Sequence, residues 1–145
     1  MAATNNTLVW ANMKDKLAAM GGVSVAMIGE PMSPPADYTA AIVPSDGNIP
    51  ETVLNAPRET HRVIIRFYVN AMAEPADAKE YTLDRLRAEI AEDICGDFDL
   101  GGTIAYALPT ECSWRYGYQT VASTLYRLLD FTIAYRVDPT ATFVQ

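Results

Sequence analysis

Thr60-His61-Arg62-Val63-Ile64-Ile65-Arg66-Phe67-Tyr68-Val69-Asn70 is the stretch that decides the fold. Val63, Ile65, Phe67 and Val69 alternate with Arg62, Ile64, Arg66 and Tyr68, the period of two of a strand whose successive side chains leave opposite faces. The first set is wholly apolar and predicts a core face. The second sets two arginines among apolar and aromatic groups, which suits contact with another layer or another subunit better than bare water. Arg62, Arg66 and Tyr68 are therefore candidate interface residues.

Downstream of this strand, Pro75 and Asp77 open a helix predicted to run to about Ile94, with Leu83, Leu86, Ile90 and Ile94 along one stripe and Gly96 closing it. Residues 103–107 and 114–121 read as strands, or as the arms of a hairpin around Pro109. Residues 125–137 form a long final strand, with Leu125, Leu129, Phe131, Ile133, Tyr135 and Val137 inward and Tyr126, Leu128, Asp130, Thr132 and Arg136 outward; Pro139 stops it.

Upstream, Leu8, Val9, Met13, Leu17 and Met20 recur at helical spacing and predict a first helix from about Asn5 or Asn6 to Met20, ended by Gly21-Gly22. A short strand from Val23 to Ile28 follows, turned by Gly29. Prolines at 31, 34, 35, 44, 50 and 57 then predict long irregular connections around a strand at 38–43, because proline is excluded from helix interiors and central ladders. A loop of that length inside a small domain is functional or mobile as a rule. The element order predicts an α+β domain, an antiparallel or mixed sheet of five to six strands with two helices packed on one face, in a single domain spanning residues 1–145.

Half of the 145 residues are apolar and a fifth charged, an ordinary globular balance. No apolar run approaches the roughly 20 residues that span a bilayer. The first residues show neither a basic n-region nor an apolar h-region, so the chain is expected in the cytoplasm, or in an assembly that leaves it. A net charge of −7, with the eight Arg and three Lys scattered, argues against a free-standing nucleic-acid binder, which needs a basic stripe.

The usual handles of catalysis are missing. His61 is the single histidine, which removes most triads and multi-histidine metal sites, and on the strand alternation it falls at the edge of the core. Cys95 and Cys112 are not in a C-x-x-C arrangement and in a reducing compartment read as packed thiols, with a disulfide as the lesser alternative. Asp97-Phe98-Asp99 begins like a calcium loop, but Leu108 stands where the bidentate glutamate belongs. No enzyme activity, cofactor or metal is expected.

Two patches remain. Glu92 and Asp93 fall in the last turn of the second predicted helix, where the macrodipole disfavours negative charge by about 0.3–1 kcal/mol each, and Asp97 and Asp99 follow with no Lys or Arg from 88 to 114. A solvated surface explains such a cluster; so does a basic partner. Trp114, Tyr116 and Tyr118 share one strand face and flank Arg115. Core packing or a protein interface accounts for them, since interfaces favour Tyr, Trp and Arg.

This arrangement resembles the tail terminators, or tail-completion proteins, of tailed bacteriophages. The resemblance covers most of the chain and rests on the order helix, Gly21-Gly22, short strand, Pro-rich extension, the strand from His61 to Val69, the helix Asp77–Ile94, the turn from Asp97 to Gly102 and the closing strand Leu125–Val137. It implies a virion structural protein of the tail or neck, assembled in the host cytoplasm. Its subunits would form a homo-oligomer, a hexameric ring that caps the tail tube protein, stops its polymerisation and joins connector or neck proteins of the head. DNA would pass through without specific binding, and no membrane would be involved. Another head–tail connector or minor tail protein is the alternative in the same class. A small hydrolase or ligand-binding domain with a carboxylate cleft at Glu89, Glu92 or Asp99 is the alternative outside it.

Overall fold

The computed structural model describes residues 5–53, 56–72, 75–96, 106–108 and 111–137. Their elements are α1 (Asn5–Ala18), β1 (Val25–Ile28), β2 (Thr39–Val53), β3 (Ala56–Asn70), α2 (Ala76–Ile90), β4 (Tyr106–Ala107), β5 (Ser113–Val121) and β6 (Thr124–Val137), with a π-helical turn, Ala91–Cys95, extending α2. The six strands make one mixed sheet in the order β1-β2-β3-β6, with β4 and β5 both pairing β6. β1 and β2 are parallel and every other pair is antiparallel. The expected α+β class, with a mixed sheet and two helices, is what the chain forms.

The alternation of β3 does what its pattern implies. Val63, Ile65, Phe67 and Val69 join Leu129, Phe131, Ile133 and Tyr135 of β6 in one cluster, sealed by Val9, Met13 and Leu17 of α1 and by Leu83, Leu86 and Ile90 of α2. Both helices thus lie on one face. Each fully buried side chain of this size adds about 1.5–3 kcal/mol, so the cluster dominates the stability of the fold. The turn after α1 needs glycine at Gly22, where φ is +94° and an added Cβ would meet the Arg85 guanidinium at 2.7 Å. Gly96 closes the π-helical turn for a different reason: an added Cβ would lie 2.5 Å from the Glu92 carbonyl oxygen.

Three expectations need correction. The proline-rich region is irregular as expected only upstream of the strand, over residues 29–38; downstream it is not a loop, because β2 continues to Val53 and β3 starts at Ala56. The ladder accommodates two of its three prolines at its irregularities: Pro44 borders one register shift and Pro50 lies within another, between Asn48 and Glu51, while Pro57 stands opposite Thr52 in regular register. Beyond Ile42, β2 pairs only with β3 among the described residues and is an edge there, the position in which a missing N–H is tolerated.

Residues 106–107 and 113–121 are not arms of one hairpin either. They pair not with each other but with β6, Tyr106 opposite Arg136 and Ser113 opposite Thr132. Finally, Leu125 is exposed, while the outward set of β6 is not, because Tyr126, Leu128 and Asp130 are buried. Tyr126 and Leu128 pack with Ala41 and Tyr68 in a second cluster, Asp130 is covered by Arg66, and residues 29–38, the crossover that the parallel β1–β2 pair requires, close over Tyr126. The Tyr126 hydroxyl donates to the Pro35 carbonyl at 3.0 Å, and Tyr38 donates its backbone N–H to Tyr68.

Candidate interaction surfaces

On the sheet face away from the helices, Arg66 of β3 is enclosed by acceptors. Its Nε and Nη2 donate to the two oxygens of Asp130 at 2.7 and 3.0 Å, and Nη1 donates to Gln119 at 3.1 Å and Glu30 at 3.2 Å. Register dictates the pairing, since Arg66 stands directly opposite Asp130. A two-pronged guanidinium–carboxylate pair at 16% and 10% side-chain exposure is a strong, directional contact. The Asp130 bond holds the Arg66 guanidinium even further above its ordinary value.

Arg62 donates to Glu111 at 2.7 Å and reaches Asp46 and Asn48 at 3.4 Å. Tyr68 is 1% exposed, packed edge-on against Tyr126, and burial pushes its hydroxyl pKa up. Of the three residues expected on an interface, Arg66 and Tyr68 are thus largely spent inside the chain, and Arg62 stays half-buried at the rim.

The aromatic row on β5 is different. Trp114, Tyr116 and Tyr118 stand opposite Phe131, Leu129 and Arg127, on the helix side of the sheet but beyond the helices' cover. Trp114 stacks on Phe131 at 5.7 Å, and Arg87 of α2 lies 4.7 Å from its ring centre. Arg127 lies 5.3 Å from the Tyr116 ring and 4.8 Å from that of Tyr118, while its guanidinium grips both oxygens of Glu80 at 2.8 and 2.9 Å. That grip draws the Glu80 carboxyl below the usual carboxylate range. Even so, Trp114, Tyr116 and Tyr118 keep 48%, 36% and 62% of their surface open. Arg115 projects to the opposite face, also exposed. Among the described residues β5 pairs only with β6 and β1 only with β2, so the sheet ends in an open strand on each side.

At the far end of α2, Glu92 and Asp93 are exposed in the π-helical turn. With Glu89, Lys16 and Met20 they line an open groove of about 400 Å³ against the end of α1. Glu89 is engaged with Arg85 at 2.8 Å. Asp97 and Asp99, and with them the segment read for calcium, lie outside the described residues.

His61 belongs to a polar chain that the sequence did not reveal. Trp10 can only donate, and its Nε1–H reaches the Tyr135 hydroxyl at 3.1 Å. That hydroxyl therefore donates to Asn6 Oδ1, leaving Asn6 Nδ2 to donate to His61 Nδ1 at 3.3 Å and His61 Nε2–H to donate to Glu59 at 2.7 Å. The ring also stacks on Tyr135 at 5.6 Å. Both imidazole nitrogens are thus engaged, Nδ1 with Asn6 of α1 and Nε2 with Glu59 of its own strand, at the core edge where the alternation put the residue. Only the separation of Asn6, Trp10 and Tyr135 along the chain hid the network.

Comparison with protein-family models gives no match, and comparison with curated proteins gives none either.

Proposed function

We propose that the chain is a structural subunit that assembles with copies of itself and other virion proteins: a tail terminator, whose hexameric ring caps the tail tube and presents a surface for head joining. The observation that carries this reading is the row Trp114, Tyr116 and Tyr118, three large rings half open to water on a strand that pairs only with β6 among the described residues. An exposed edge with aromatic side chains is a template for a further chain. At the opposite edge of the sheet, β1 pairs only with β2 among the described residues, with Val25 and Ile28 exposed. A subunit with different sticky edges on its two sides forms head-to-tail contacts, and such contacts close into rings when the rotation between subunits permits. The net charge of −7 suits a conduit that must let DNA pass without holding it.

The test is the state of the purified chain, alone and on tail-tube ends, by light scattering and negative-stain imaging. Rings of six support the reading. A strict monomer that leaves tube ends bare contradicts it. The groove bearing Glu89, Glu92 and Asp93 favours one other reading, a ligand-binding domain. A monomer whose groove binds a small cationic ligand would support that reading instead.

A further inference from the structure

Cys95 ends the π-helical turn, and Cys112 immediately precedes β5. Both are free, both pack partly buried against the main core, and the Cys95 thiol points at Cys112 with 3.5 Å between the sulfurs. Converting this contact to a bond of about 2.0 Å needs a closure of about 1.5 Å shared by two side chains. Cys112 is held in place from its other side, since its thiol reaches the Leu108 carbonyl at 3.5 Å and Leu108 donates its backbone N–H to Ala134 of β6 at 3.0 Å. The pair brackets residues 96–111, the stretch of chain that joins the π-helical turn to β5.

We infer that Cys95 and Cys112 form a reversible dithiol–disulfide site whose closure staples the end of α2 to the start of β5. The two sulfurs are not equivalent. The hydrogen bond from Cys95 draws Cys112 down to about 7, and the Ala134 backbone helps, while the same contact and burial push Cys95 up. Because the Cys95 thiol is directed at Cys112 Sγ, where it stabilises a thiolate, Cys112 is the attacking sulfur and Cys95 the resolving one.

The co-reactant is a small-molecule disulfide. The Cys112 thiolate attacks one of its sulfurs, forming a mixed disulfide and expelling one thiolate. Cys95 then loses its proton to solvent and attacks Cys112 Sγ, forming the protein disulfide and expelling the second thiolate. Two electrons pass from the protein to the small disulfide, which departs as two thiols. The site is independent of whether the chain assembles.

The experiment equilibrates the reduced full-length chain with oxidised glutathione at pH 8, followed by intact mass, thiol titration and thermal melting. The expected product is a single chain lighter by two hydrogens with no titratable thiol. Its Tm is higher by about 10 °C, the effect of closing a loop of this size in a domain of this length, and dithiothreitol reverses the change. Cys95→Ser should trap glutathione on Cys112, and Cys112→Ser should react with it at least tenfold more slowly. Two thiols still titratable at equilibrium, a stable mixed disulfide on the wild-type chain, or cross-linked chains would each overturn the inference.

Discussion

The arginine face of β3 and the aromatic row of β5 look alike as sequence and behave in opposite ways as structure. Each is a strand whose off-core positions carry residues typical of interfaces. Arg66 and Tyr68 of β3 are claimed by partners far away in the chain, Asp130, Gln119, Glu30 and Tyr126, so that face is closed internally. Trp114, Tyr116 and Tyr118 of β5 receive cover on one side only, from Phe131, Arg87 and Arg127, and remain open on the other. Alternation says which side chains share a face. What covers that face depends on the neighbouring strand and on any crossover passing over it.

If the arginine face is internal, its disruption should cost fold stability and nothing else. Asp130→Ala leaves Arg66 buried without its main partner and should lower unfolding stability by about 3 kcal/mol in urea titration. The double replacement Arg66→Met with Asp130→Leu should cost far less, because no charge is left unpaired. Equal losses in the two proteins would show that the pair is not closed in this way.

The aromatic row should give the opposite pattern. Tyr118→Ala removes the most exposed ring of the three and should change unfolding stability by no more than about 1 kcal/mol. It should weaken self-association by tenfold or more, as truncation of an aromatic anchor does at an interface. A sedimentation series of both proteins checks this.

The β5–β6 turn offers a gain instead. Ala122 and Ser123 hold φ of 48° and 71°, a conformation for which Asn-Gly is preferred in a two-residue hairpin. Ala122→Asn with Ser123→Gly should raise stability by about 1 kcal/mol, read as a shifted urea midpoint.

The smallest effect concerns the salt link that supports the row. Arg127 depresses the Glu80 carboxyl, so the link's contribution is present above the unfolded carboxylate pKa of about 4.3 and fades as pH falls through the lower folded value. Glu80 is 43% exposed, which limits the contribution to a few tenths of a kcal/mol at low salt. Glu80→Gln should lower stability by that amount above about pH 4.3, leave it almost unchanged at acid pH where Glu80 is protonated, and so flatten the profile between the two.

The core was legible because its signals are local. The alternation in β3, the stripe of α2 and the heptad-like spacing of Val9, Met13 and Leu17 each state a buried face within a dozen residues. The reach of β2 was not, since Pro44 and Pro50 carry the signature of a break and only the partner strand shows that each falls at a ladder irregularity. The aromatic row was legible as a shared face, but its half-open state depends on where α2 lies. The contact of Cys95 with Cys112 and the chain from Trp10 to Glu59 join residues distant in sequence, and no local pattern announces either.

Hydrogen exchange across a concentration series tests the contrast between the two regions most directly. Backbone amides of Ser113–Val121 should gain protection as the chain is concentrated, while those around Arg66 and Tyr68 should be protected at every concentration. Protection gained around Arg66 and Tyr68, with Ser113–Val121 unchanged, would contradict the assignment of β5 as the assembling edge.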